Sequence, residues 1–361
     1  MRSMSSGELG AGVERVCREP GGAVALERAV AARLRDAVPF GPWCALTVDP
    51  ASALPTGGYH RDGISPQLIP RLLEIEARAE DAFALPSLAR HPRRAVTLAD
   101  ATSGHPDRSP RYHDVLRPAG LEHEMRLLFR SDGGIWGALV MFRGEGEAAF
   151  STAEMRLVEE ATAGVAAAIR REMTLTEIAH GTDEDGPGLF LLSGTLTPLH
   201  VTPAAQRWLT EVDDGVDVAT GLPYSVLTLA GRAAAGSGPL HSRLRSRSGR
   251  WMTMHAERIA GEPAQVSVIV EPARPIEIAR IIADAYQLTA RERDVVHLLA
   301  RGHSRQEIAR LLALSPHTVD DHVKRVFGKL GVRSRAELTY RLFFDQHAPR
   351  IDADVPVGGT G

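Results

Sequence analysis

A chain of 361 residues is too long for one ordinary core and predicts two or three domains. Its 43% hydrophobic and 24% charged residues match typical globular usage, and two cysteines (Cys17 and Cys44) without a CxxC pair argue against a disulfide framework or a zinc site. The net charge of −3 hides an asymmetry: Tyr286 to Gln346 holds eleven Lys and Arg against seven Asp and Glu, net +4, which leaves about −7 on the rest.

Residues 1–22 are Gly- and Ser-rich and read as a disordered N-terminus. No apolar h-region opens the chain and no run approaches 18 apolar residues, so a cytoplasmic protein without a membrane partner is expected. A mixed apolar stripe from Val24 to Val38 predicts a helix, and WCALTVD (43–49) a buried strand. Leu68 to Phe83 has helical spacing, and AVTLAD (95–100) reads as a short strand. Glu122–Phe129 and Ile135–Arg143 flank SDGG, where Asp132-Gly133 favours a tight hairpin turn. Ser151-Thr-Ala-Glu154 is a capping box that opens one long helix to about Glu177. This is an α+β pattern with an antiparallel sheet over 24–176.

HGTDEDGPG (180–188) is a polar break and a domain boundary. A second α+β unit fills 187–272: a strand pair in GLFLLSGTLTPLHVT, helices from Pro203 and Val226, a hairpin from Leu240 to Ile259, and the strand Gln265–Glu271. Residues 276–286 form an amphipathic connecting helix (Ile278, Ile281, Ile282, Ala285). An all-α domain of four helices occupies 287–346, and 347–361 is a flexible tail. Thr289-Ala-Arg-Glu292, Ser304-Arg-Gln-Glu307 and Ser334-Arg-Ala-Glu337 are three capping boxes, and Ser315 caps a helix with Pro316 at its first position. The short Ala313-Leu314 link between the second and third helices makes a helix-turn-helix.

The stretch LTARERDVVHLLARGHSRQEIARLLALSPHTVDDHVKRVFGKLGVRSRAEL (288–338) resembles the LuxR-type helix-turn-helix regulators across all four helices. The resemblance covers about sixty of the 361 residues. It implies that the third helix reads double-stranded DNA and that the fourth mediates dimer contact. Residues 24–176 resemble a GAF domain and 187–272 a PAS-like domain, by topology more than by motif. The expected fold is therefore a multidomain chain, with an α+β sensory region before an all-α helix-turn-helix domain.

The candidate DNA-binding residues are Arg305, Ser315, His317, Thr318, Asp320, Asp321, Lys324, Arg325, Lys329 and Arg333; Tyr340, Phe343 and Phe344 are the candidate dimerisation residues. At 100° per residue, Val319, Val323, Val326, Phe327 and Leu330 fill one arc of the reading helix. Asp320 and Asp321 at its start oppose phosphate; Asp320–Lys324 and Asp321–Arg325 are acid-then-base pairs at i,i+4, and Asp321 is also placed to accept from a cytosine amino group. In the resembling family a basic residue often follows Thr-Val, so Asp320 departs from the common pattern.

Catalytic patterns do not assemble. His60-Arg-Asp62 lacks the Asn five residues on that a kinase loop needs, and GxSxG, HExxH and P-loop runs do not occur. His105, His113 and His123 with Asp107 are irregularly spaced surface residues, and Cys44 on a strand reads as a small buried hydrophobe. The expectation is a non-enzymatic regulator without cofactor. Its partners would be DNA, RNA polymerase, a second copy of itself, and a small-molecule effector or protein at the sensory domains. The alternative is a module that uses the same helices to bind polymerase or another protein; a sensor enzyme ranks last.

Overall fold

The computed structural model describes residues 6–19, 21–50, 52–56, 60–62, 65–77, 81–131, 134–175, 186–212, 220–236, 240–246, 250–274, 277, 286 and 288–339. These fall into two units, one ending at Pro272 and one beginning at Ala273.

The upstream unit contains two antiparallel sheets. The first has the order β2-β1-β5-β4-β3, with β1 Trp43–Thr47, β2 His60–Asp62, β3 Ala95–Thr97, β4 Leu121–Ser131 and β5 Gly134–Gly144. Helices α1 (Ser6–Val16), α2 (Gly22–Ala37), α6 (Thr152–Ala161) and α7 (Val165–Leu175) form its helical layer. Between them in sequence come α3 (Ile69–Ala77), α4 (Leu85–Leu88) and α5 (Leu98–Ala101). The second sheet has the order β7-β6-β10-β9-β8, with β6 Gly188–Ser193, β7 Pro198–Val201, β8 Leu240–Arg245, β9 Trp251–Ile259 and β10 Gln265–Pro272. It carries α8 (Pro203–Glu211) and α9 (Tyr224–Ala234).

Several expectations need correction. From Ser6 onward the N-terminal stretch is no frayed tail: Leu9, Val13 and Val16 of α1 are buried. The single helix expected from Ser151 is two, because the Thr162 hydroxyl donates to the Val158 carbonyl at 2.6 Å and the chain turns through Gly164 before α7. The strand expected over 95–100 stops at Thr97, whose hydroxyl accepts from the Asp100 amide at 3.0 Å and caps α5. The Asp132-Gly133 turn and most of the 276–286 connecting helix lie outside the described residues.

The two sheets share one core. Register places Cys44 opposite Val140 and Val140 opposite Arg126, so Cys44, Leu46, Ala138, Val140, Glu124, Arg126 and Leu128 occupy one face of the first sheet. The side chains on that face are buried. Its apolar cluster runs on through Leu72 and Ile75 of α3 to Leu227 and Leu229 of α9, and then to Leu244, Met254 and Val268 of the second sheet. Helix α9 is consequently buried nearly all round. A bidentate ion pair pins the same junction: Arg243 of β8 donates from Nε and Nη2 to Asp49 at 2.9 and 2.7 Å, both side chains buried. The Arg245 amide adds a bond to the Thr56 carbonyl at 3.2 Å.

Charges on the shared face are held by one another. Arg111 and Arg126 both donate to Glu76, Arg126 Nε reaches Glu124 at 3.0 Å, and Asp81 lies 3.4 Å from Arg111. Burial alone would raise the Glu76 pKa, but the two guanidinium groups outweigh it and bring it from 4.5 to about 2. On the sheet's other face, Glu27 of α2 is buried with no partner among the described residues, and burial pushes its carboxyl well above the usual range.

A carboxylate whose pKa is lower folded than unfolded stabilises above about pH 4.5, and that stabilisation fades as pH falls toward 2. For Glu76 the contribution is on the order of 3 kcal/mol. All four tryptophans precede Ala273, so their fluorescence reports the upstream unit. Denaturant titrations followed by this signal are expected to show Glu76→Gln less stable by about 3 kcal/mol at pH 7. The variant's deficit is expected to shrink below pH 4.5.

Candidate nucleic-acid interface

From Leu288 onward the described residues of the second unit form four helices: α10 Ala290–Ala300, α11 Arg305–Leu311, α12 Pro316–Leu330 and α13 Arg335–Thr339. Each start is made by local chemistry. Thr289 and Glu292 exchange cap bonds at 3.2 and 2.8 Å, and Ser304 and Glu307 at 3.3 and 2.7 Å. At α13 the box is shifted: Ser334 Oγ accepts from the Glu337 amide, while the Glu337 carboxylate reaches back to the Arg333 amide at 2.7 Å.

The turn between α11 and α12 is tight. Leu312 caps α11, Ala313 adopts a left-handed φ of 51°, and Ser315 Oγ accepts from the Thr318 amide at 3.1 Å to start α12. Arg291 of α10 donates to the Leu312 carbonyl and closes the C-terminal end of α11. Gly331 ends α12 with φ 66°.

On α12 the buried positions are Val319, Val323, Val326 and Leu330, with Phe327 half-buried at the edge. They pack on Val295, Val296 and Leu299 of α10 and Ile308 and Ala309 of α11, all buried. Leu311 at the end of α11 is 59% exposed.

The opposite side of α12 carries His317, Asp321 and Lys324 at helical spacing, with Arg325 beside them; His317, Lys324 and Arg325 are exposed. The expected i,i+4 acid-to-base pairs do not form. Asp320 reaches back to Arg305 of α11, with Nε 3.0 Å from Oδ1 in a geometry that is an ion pair without a hydrogen bond. Asp321 faces His317 at 3.4 Å, one turn earlier. Lys324 and Arg325 have no ion-pair partner among the described residues, so two cations stand free on this side. Ser315 and Thr318 are joined to each other at 2.8 Å in the cap. Arg333 is exposed at the end of the turn after α12.

Lys329, a candidate for DNA contact, also makes a bond within the fold. Its ammonium donates to Glu292 Oε2 at 2.6 Å, and Glu292 is buried at the start of α10. Burial would raise the Glu292 pKa, but Lys329 and the Thr289 cap bonds hold it below the usual carboxylate range. This brace links the first and third helices, and only the unexpected burial of an N3 glutamate would have announced it. Tyr340, Phe343 and Phe344 lie outside the described residues.

Residues 286–342 match the luxR family of bacterial regulatory proteins, and this segment is a LuxR-type helix-turn-helix domain. The chain is similar to the nitrate/nitrite response regulator protein NarP of Escherichia coli, at 48% identity over 59 residues, which is 16% of this chain and 27% of that protein. It is likewise similar to the transcriptional regulatory protein UhpA of Salmonella typhimurium, at 48% over 56 residues, 16% of this chain and 29% of the relative. The chain thus spans under a third of the curated relatives it matches. Among solved structures, the GAF domain/HD domain protein from Geobacter sulfurreducens is a distant structural likeness. It shares 15% identity over 44% of this chain and 99% of that one, with a TM-score of 0.33.

Removing the cation that balances a buried carboxylate costs about 1–3 kcal/mol where hydrogen bonds remain. Lys329→Met is therefore expected to speed amide hydrogen exchange in α10 and α12 by one to two orders of magnitude. Lys324→Met, on the free side, is expected to leave that exchange unchanged.

Proposed function

We propose that this chain is a sequence-specific DNA-binding transcription regulator whose upstream α+β unit modulates the C-terminal helix-turn-helix. The observation that carries this is α12 itself: one face is consumed by the bundle core, while the other offers two uncommitted cations and a carboxylate in a LuxR-type domain. A helix so mounted enters the major groove with its N-terminal residues against base edges. Lys324, Arg325 and Arg333 supply phosphate attraction, and His317 and Asp321 lie where base edges are read. Arg305 is held by Asp320, so it meets phosphate only by leaving that ion pair. Lys329 braces the fold. The protein acts without catalysis, pairs as a homodimer, and works inside the cell alongside RNA polymerase.

Selection of binding sites from random duplexes with the full chain tests this reading. Affinity for selected over random DNA is expected to differ by three orders of magnitude or more. Equal affinity would overturn the reading and favour a protein-binding role for the same helices. Lys324→Ala is expected to weaken binding to all sequences and lower the slope of log K against log salt by about 1. Asp320→Ala frees Arg305 and is expected to strengthen non-specific binding and steepen that slope. Asp321→Ala is expected to relax preference at one base pair, worth about 1–3 kcal/mol, with overall affinity kept.

A further inference from the structure

Where the two sheets of the upstream unit meet, packing leaves a cavity of about 60 Å³. Holding one water takes roughly 10–15 Å³ on that scale, so the space admits several waters or one small organic molecule. Its walls are mostly apolar: Cys44, Leu46, Val140 and Phe142 from the first sheet, and Leu72 and Leu85 from the helices beside it. One end holds the carboxylates and guanidinium groups of Glu76, Glu124, Arg111 and Arg126, which largely neutralise one another with Asp81.

The roof belongs to the second sheet's helix. Tyr224, Thr228 and Arg232 recur every four residues along α9 and line the cavity together. Thr228 is satisfied by its bond to the Tyr224 carbonyl at 2.7 Å. Arg232 is not satisfied. Its Nη1 is buried without an acceptor, and no carboxylate pairs with it among the described residues. Burial alone disturbs its titration, lowering the pKa with no opposing charge to restore it. A guanidinium facing an apolar space with an idle donor is costly unless an anion arrives.

We propose that this cavity binds a small amphipathic monocarboxylate, with its carboxylate on Arg232 and its apolar body among Leu46, Leu72, Val140 and Phe142. One negative charge is the limit, because Glu76 and Glu124 repel a second, and the charges of Arg111 and Arg126 are already paired with them although Arg111 Nε and Nη1 make no hydrogen bond. A cationic ligand meets Arg232 and is rejected. The far end also favours a hydrogen-bond donor on the ligand, since Glu124 Oε2 is buried with no partner. Because α9 is the roof, an occupant touches the first sheet and the second sheet's helix at once.

Calorimetric titration of the full chain with benzoate, benzamide and benzylamine, with no DNA present, tests the site independently of the DNA-binding reading. Benzoate is expected to bind saturably, at least tenfold tighter than benzamide, with benzylamine not binding. Arg232→Met is expected to weaken benzoate tenfold or more and leave benzamide within twofold; Arg232→Lys is expected to recover part of the loss. Leu72→Trp, which fills the space, is expected to abolish both. No saturation by benzoate at about 10 mM, equal affinity for benzoate and benzamide, or unchanged benzoate binding in Arg232→Met would each overturn the proposal. Should Leu72→Trp fail to fold, the Arg232 variants decide alone, since that side chain is half-buried and Met and Lys both keep its aliphatic length.

Discussion

The upstream unit depends on a face of β-sheet that has to be covered. Cys44, Leu46, Ala138, Val140 and Leu128 form an apolar surface that the chain's own first helices, packed on the other face, leave bare. The second sheet does not simply follow in sequence; it supplies the missing cover through α9. Arg243 and Asp49 set how that cover lands. Burying a charge pair costs several kcal/mol per ion before any return, so the pair persists only where both guanidinium bonds are made. Here they are, at 2.9 and 2.7 Å, and a shifted docking of the sheets would leave both charges unpaired.

The same logic explains which parts of the fold were readable from sequence. Helix starts were readable because a capping box is local: Ser151–Glu154, Thr289–Glu292 and Ser304–Glu307 all form as spacing demands. The strands of the Glu122–Arg143 hairpin were readable because SDGG marks a turn between the two segments that flank it. What lay hidden was which face would be wet. Glu124 and Arg126 alternate with Met125 and Leu127, and a charged pair on alternate strand positions reads as a solvent face. Burial comes from a partner about a hundred residues away, and its charges from Glu76 and Arg111 in other elements. Neither has a local sequence signal. Helix α1 escaped for a related reason: a Gly-rich, weakly apolar segment becomes a helix because α2 and α6 give Leu9 and Val13 somewhere to go.

In the C-terminal unit the bundle was legible and the charge pairing was not. Period alone places Val319, Val323, Val326 and Leu330 inside, and the structure agrees. Period also makes Asp320–Lys324 and Asp321–Arg325 neighbours, yet the acids turn elsewhere. An i,i+4 pair on an exposed helix is worth only about 0.2–0.5 kcal/mol. A guanidinium offered from α11 across the tight turn, or a histidine one turn back, is enough to redirect each carboxylate.

That redirection changes what the two acids mean on a helix facing a polyanion. Had they paired forward, they would have silenced Lys324 and Arg325, the two cations proposed to meet DNA. By pairing backward they leave both free, and the acid charge is set against Arg305 and His317 at the helix's leading end. On the proposed reading Asp320 then competes with phosphate for Arg305. Specific and non-specific binding respond differently to such a competitor. A non-specific complex consists mostly of phosphate contacts and loses one of them to Asp320. A specific complex that loses the same contact keeps the gap unchanged; the gap widens where base contacts hold Arg305 on phosphate against Asp320. In that case a carboxylate that looks hostile to DNA raises the difference between the right sequence and the wrong one without touching a base.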